Sequence, residues 1–220
     1  IQRYTPINRA FVLHITSCPQ VEKTEMRRIF LGIIISIACL NLSFGQELQD
    51  GQKRWSSSSK LTINDFKIKI SDENNDAVYS QFMISHSISG FDFMKRNLNQ
   101  KIGNLFLGNA SWIDTTKVES IEKQIEFQQM QFDLAEIQAR KFRKRILKDK
   151  RKISKGFDIV NKINNEIMAE FSEIRLELMR ETESGRNEKK VVEWKEKIVS
   201  ELKELNEFRF ENKKKIKLNK

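Results

Sequence analysis

The stretch ESIEKQIEFQQMQFDLAEIQARKFRKRILK, residues 119–148, decides how the rest of the chain is read. Ile121, Ile125, Gln128, Phe132, Ala135, Ala139, Phe142 and Ile146 recur at steps of three and four, the spacing of one helical face. A long helix is expected here. Outward toward the C-terminus the same period returns twice. Ile159, Ile163, Ile167, Phe171, Ile174 and Leu178 predict a second helix over 158–180, and Val191, Trp194, Ile198, Leu202 and Leu205 a third over 187–210. Gly156 and Ser184-Gly185 are the breaks between them. The basic tail 211–220 is expected to fray.

Toward the N-terminus the period changes to two. Leu61–Ile70 ends in strict alternation, and Phe82, Ile84 and Ile88 alternate with small polar residues over 78–93, where Gly90 marks a bulge or bend. A third strand region is expected over 98–112, and residues 71–76 form a turn. The polar, serine-rich run 46–59 reads as a linker. The predicted fold is therefore α+β: a small, mainly antiparallel sheet at about 60–113 followed by three long helices. The 220 residues, 39% of them hydrophobic, fit one domain with its own core.

The first 45 residues are read separately. Met26-Arg27-Arg28 and the apolar run from Ile29 to Leu40 form the n- and h-regions of a secretory signal peptide at 26–45. Ser43 and Gly45 supply the small residues of a cleavage site before Gln46. The run is too short to favour a membrane span, so no transmembrane segment is expected in the mature chain. Residues 1–25, which begin with Ile, are expected to be a non-native upstream extension. Cys18 and Cys39 both precede the cleavage site, so the mature chain holds neither a disulfide framework nor a cysteine metal site. Cys39 after Ser36-Ile37-Ala38 offers a less favoured lipoprotein alternative. The expected location is periplasmic or extracellular.

The helix centre carries a resemblance. Residues 127–136, Phe-Gln-Gln-Met-Gln-Phe-Asp-Leu-Ala-Glu, resemble the H-E-Q-x-H-F-D-I/L-A-E helix of a bacterial family of secreted zinc-dependent proteases, catalogued as domain of unknown function 922. Gln129, Phe132, Asp133, Ala135 and Glu136 match, while Phe127, Gln128 and Gln131 stand where the family has His, Glu and His. Glu181-Thr182-Glu183-Ser184-Gly185 with Trp194 is similar to the family's E-T-x-H-G run, with Ser184 at a third His. Leu61-Thr62 with Asp65-Phe66, and Ser111-Trp112, are similar to its opening and to its Ser-Trp before the metal helix. The resemblance implies a zincin-like fold and a single protease-like domain at 60–210.

It also implies lost chemistry. Two His at i and i+4 face one side of a helix and reach one Zn²⁺, and the adjacent Glu serves as general base to a zinc-bound water. Phe127 has no lone pair, Gln131 offers only an amide oxygen, and Gln128 has no ionisable proton. No cofactor, metal or catalytic residue is therefore expected at the degenerate positions Phe127, Gln128, Gln131 and Ser184. His86, the only histidine of the mature chain, is expected to be a strand residue rather than a ligand. The resulting expectation is a non-catalytic binding or structural protein of the envelope, whose partner is an unknown protein or envelope polymer.

Two alternatives belong to other classes. One is an active hydrolase with unusual ligands drawn from Glu126, Asp133 or Glu136. The other is a basic helical module for anionic polymers, since the mature chain keeps 35 Lys+Arg against 28 Asp+Glu. Positive charges interleaved with Glu usually make a solvated face, and no nucleic-acid motif appears, so nucleic acid is not an expected partner.

Overall fold

The computed structural model describes residues 48–69 and 76–218. The stretches expected to be a signal peptide and an upstream extension, with Cys39, and most of the expected turn at 71–76 lie outside the described residues.

Among the described residues five strands precede three helices: β1 (Gln52–Arg54), β2 (Val78–Tyr79), β3 (Phe82–His86), β4 (Ile102–Leu107) and β5 (Trp112–Ile113), then α1 (Ile121–Ile153), α2 (Asp158–Glu181) and α3 (Glu188–Glu204). The architecture is α+β, with helices after a small antiparallel sheet. β4 is its centre, flanked by β1 and β3 in the order β1-β4-β3. Its IGNLFL sequence is buried up to Leu107, as a central strand covered on both faces requires. β2 and β5 form a separate two-stranded ribbon, in which the register partners Tyr79 and Trp112 stack at 4.8 Å.

α1 is the axis. Ser120 caps it by accepting from the Lys123 N–H, and its 33 residues contain neither Gly nor Pro, so it runs roughly 50 Å without a break. From Phe127 to Arg140 every residue but Asp133 is buried. The expected single stripe is thus exceeded, because the sheet, α2 and α3 cover α1 on different sides. Phe132 stacks on Phe82 at 5.5 Å and lies beside Phe106, joining helix and sheet through aromatic rings. Asn104 Nδ2 donates to the Phe132 carbonyl across the same boundary.

A buried ionic cluster fixes α1 to its surroundings. Glu136 Oε1 accepts from Arg140 Nε at 3.0 Å and from Arg143 Nη1 at 2.8 Å. Arg143 also donates to the Ile102 and Phe208 carbonyls, and Arg140 to the Leu202 carbonyl. Arg143 is fully buried, so it is not part of the solvated basic run in which its neighbours sit.

Several expectations are corrected. The 46–59 run is not merely a linker: Gln52–Arg54 pair with β4, and Trp55 is buried with its indole N–H donating to Asp133. Over its described part, residues 61–69, the expected alternation does not yield a regular strand. Thr62 and Asp65 cap a 3₁₀ turn at Ile63–Asp65, after which Lys67 and Ile68 donate to the Gly108 and Ser111 carbonyls. Of the bulge or bend expected at Gly90, the structure has a bend, a 3₁₀ turn at Gly90–Met94. The third helix stops at Glu204. The tail is docked through Ile216, which is buried and donates to the Arg96 carbonyl, while Asn97 binds the Asn212 and Lys214 carbonyls.

Candidate functional site: a cleft between α1, α2 and the β2 ribbon

Phe127, Gln128, Gln131 and Ser184, separated by up to 57 positions in sequence, line one cleft of about 520 Å³. Val78, Tyr79 and Ser80 close it on the ribbon side, and Ser172, Arg175, Leu176 and Met179 come from α2. The helical step explains the first three: positions 127, 128 and 131 share the α1 face turned toward α2.

Ser184 arrives by a different device. α2 ends at Glu181 and is capped by Thr182, whose hydroxyl donates back to the Leu178 carbonyl and accepts from the Gly185 N–H. Glu183, Ser184 and Gly185 then take φ of 50°, 56° and 93°. Successive left-handed residues reverse the chain within a few positions, and Asn187 caps α3 by accepting from Lys190. For the two non-glycine residues this conformation costs roughly 1–2 kcal/mol each. Gly185 is needed for a second reason: a Cβ there would stand 3.0 Å from Phe127 Cγ. The Phe127 ring thus lies flush against the turn that carries Ser184.

The polar groups of the cleft form a chain. Gln131 Nε2 donates to Gln128 Oε1 at 2.9 Å, and Gln131 Oε1 accepts from Arg175 Nε at 2.7 Å. Arg175 Nη2 donates to the Ser80 carbonyl at 3.0 Å, and the guanidinium lies over the Phe82 ring at 5.3 Å. Burial pulls the Arg175 pKa below its ordinary value, and no Asp or Glu among the described residues offsets it. Such a pair of amides oriented by a guanidinium can donate hydrogen bonds and hold an anion, but it has no proton to exchange near neutral pH.

The residues present do not fit zinc. No imidazole stands at any of the four positions, a fixed cation already occupies the amide oxygen of Gln131, and the Phe127 ring takes up space beside the turn. Among the described residues no three His, Cys, Asp or Glu side chains converge as a metal site. His86 lies elsewhere, at the end of β3 with its ring edge on Phe142 at 5.7 Å, and burial lowers its pKa.

The carboxylates considered for an alternative hydrolase are engaged outside the cleft. Glu126 pairs with Lys195, Asp133 accepts from Trp55 and Gln129, and Glu136 neutralises the buried arginines. Many basic side chains are also paired: Arg145 with Glu166 and Glu170, Lys141 with Glu201, Lys123 with Glu188. Sequence reasoning missed Arg175 and Ser80. Arg175 stands at the margin of the apolar stripe of α2, four residues after Phe171 and three before Leu178, but a lone charge there ordinarily reads as solvated. The chain matches no protein-family model, no curated protein and no solved structure. No described helix is long and apolar enough to cross a membrane.

Proposed function

We propose that the chain is an exported, non-catalytic binding protein on a zincin-like frame, in which the metal cleft of a protease has become a ligand pocket. The observation that carries this reading is the cleft itself. The four positions expected to have lost metal chemistry line one cleft, and Gln128 Oε1 and both amide atoms of Gln131 are committed to a chain that ends on Arg175.

The residues that match the resembled family support it from the other side, because they have framing contacts. Gln129 holds the Leu61 N–H and Asp133, Asp133 holds Trp55, and Glu136 holds Arg140 and Arg143. Glu181 accepts from the Trp194 indole, and Thr182 and Gly185 build the left-handed turn. A frame retained while the reacting groups change is what a binding protein derived from an enzyme requires, although a fold alone warrants no activity.

The test is hydrolysis of unstructured protein substrates by the purified chain, with and without added Zn²⁺. No turnover above the buffer rate is expected. Zinc-dependent cleavage that is abolished by Gln128→Ala would overturn the proposal.

A further inference from the structure

We infer that the cleft recognises a carboxylate carried next to an apolar group, with Arg175 as the anion-binding residue; this rests on the proposed binding role and names its ligand class. The first observation is a cation, held by fixed contacts, that no ion pair among the described residues neutralises. Arg175 is fixed by Gln131 Oε1, the Ser80 carbonyl and the Phe82 ring. Those anchors use the Nε–H and one Nη2 hydrogen. The Nη1 hydrogens and the second on Nη2 meet no protein acceptor among the described residues. A guanidinium preset in this way offers parallel N–H donors matched to the two oxygens of a carboxylate.

Three further observations point the same way. The Ser80 hydroxyl, in a residue only 1% exposed that lines the cleft, has no hydrogen-bond partner among the described residues. A buried hydroxyl without a partner costs free energy that a bound acceptor would recover. Gln128 spends its oxygen on Gln131, which leaves its amide nitrogen as a donor on the cleft wall. The remaining lining is apolar through Phe127, Val78, Leu176 and Met179, and among the described lining residues Asp76 is the one acid. Donors grouped around one cation, beside an apolar wall, suit a carboxylate with a hydrophobic neighbour. A volume of about 520 Å³ accommodates a group the size of a short peptide end.

The same chemistry comes from a peptide C-terminus or from a small free acid, and calorimetric titration distinguishes them. The probes are N-acetyl-Ala-Ala-Phe as the free acid, the same peptide as its C-terminal amide, and N-acetyl-phenylalanine. The acid is expected to bind at least tenfold more tightly than the amide. Tighter binding of the tripeptide acid than of N-acetyl-phenylalanine supports a peptide end, and equal binding supports a small acid. Arg175→Lys keeps the charge but loses the fork, and is expected to weaken the acid at least tenfold. Gln128→Glu leaves the Arg175 anchors intact and places a competing carboxylate in the cleft, so it is expected to abolish binding. Circular dichroism of each variant verifies the fold. Equal binding of acid and amide, no binding of any probe, or unchanged affinity in the folded Gln128→Glu variant would overturn the inference. The non-catalytic reading is judged separately, by zinc content and hydrolysis in the same preparations.

Discussion

Gly185 and Phe127 meet where the turn after α2 touches α1, and that contact makes a sharp demand on a single residue. Gly185→Ala must place a Cβ at a φ of +93° and 3.0 Å from the Phe127 ring. Strain and overpacking together should cost about 1–3 kcal/mol. Denaturant unfolding of Gly185→Ala, Phe127→Ala and the double variant separates the two. The steric part should shrink in the Phe127→Ala background, where only the Cβ approach of 3.2 Å remains, leaving mainly the backbone part. Asp92 makes a second residue-scale prediction. Burial raises its pKa, but donation from Lys95 and the Ser89 N–H, with the charges of Lys95 and Lys101, lowers it further, so the net shift is downward. A depressed folded value means that Asp92 contributes stability above the unfolded carboxylate pKa of about 3.9. That contribution is lost as pH falls through the folded value. Asp92→Asn should therefore be less stable than the native chain at pH 7, with the difference shrinking below about pH 4 in unfolding midpoints measured across pH.

At the scale of elements, α1 is held by the Glu136 cluster as much as by its apolar face. Glu136→Gln would leave Arg140 and Arg143 without their shared carboxylate in a site where all three side chains are at most 4% exposed. Breaking a buried pair on one side costs about 3–5 kcal/mol, and the loosened contacts should be those to β4 and the Phe208 turn. Amide exchange in Ile102–Leu107 and Asn206–Phe208 should rise well before that in α2. The helices were legible in sequence because their apolar period is local and survives over many turns. The burial of Arg143 was not, since it stands in a run of Lys and Arg and differs from them only by lying seven residues after Glu136. Trp55 was passed over for a similar reason. It is a lone apolar residue in a polar run, and its burial depends on Asp133 and on Arg140 over its ring at 5.1 Å, contacts far away in sequence. The alternation at Leu61–Ile70 misled because Thr62 and Asp65 satisfy each other's polar groups locally, which competes with a strand ladder. That Phe127, Gln128, Gln131 and Ser184 come together was legible, but the cation beside them was not.

For the whole molecule, net charge and cleft make separate predictions. The whole chain has a net charge of +10, but many bases on the helices are paired with acids, so DNA binding should be weak and nearly lost at physiological salt. Sub-micromolar binding in that salt, by fluorescence anisotropy, would instead favour a polymer-binding module. The cleft should be convertible. Phe127→His, Gln131→His and Ser184→His together with Gln128→Glu set three imidazoles and a base at positions that already converge, and zinc affinity should rise by orders of magnitude. Arg175 opposes this, because its guanidinium stands beside position 131, so adding Arg175→Met should tighten zinc further. A folded quadruple variant that ignores zinc even without Arg175 would mean that the four positions do not form a ligand cage. The most direct measurement is the zinc content of the unaltered protein after dialysis, by mass spectrometry of the metal. The account predicts far less than one zinc per chain, and one zinc retained per chain would contradict it.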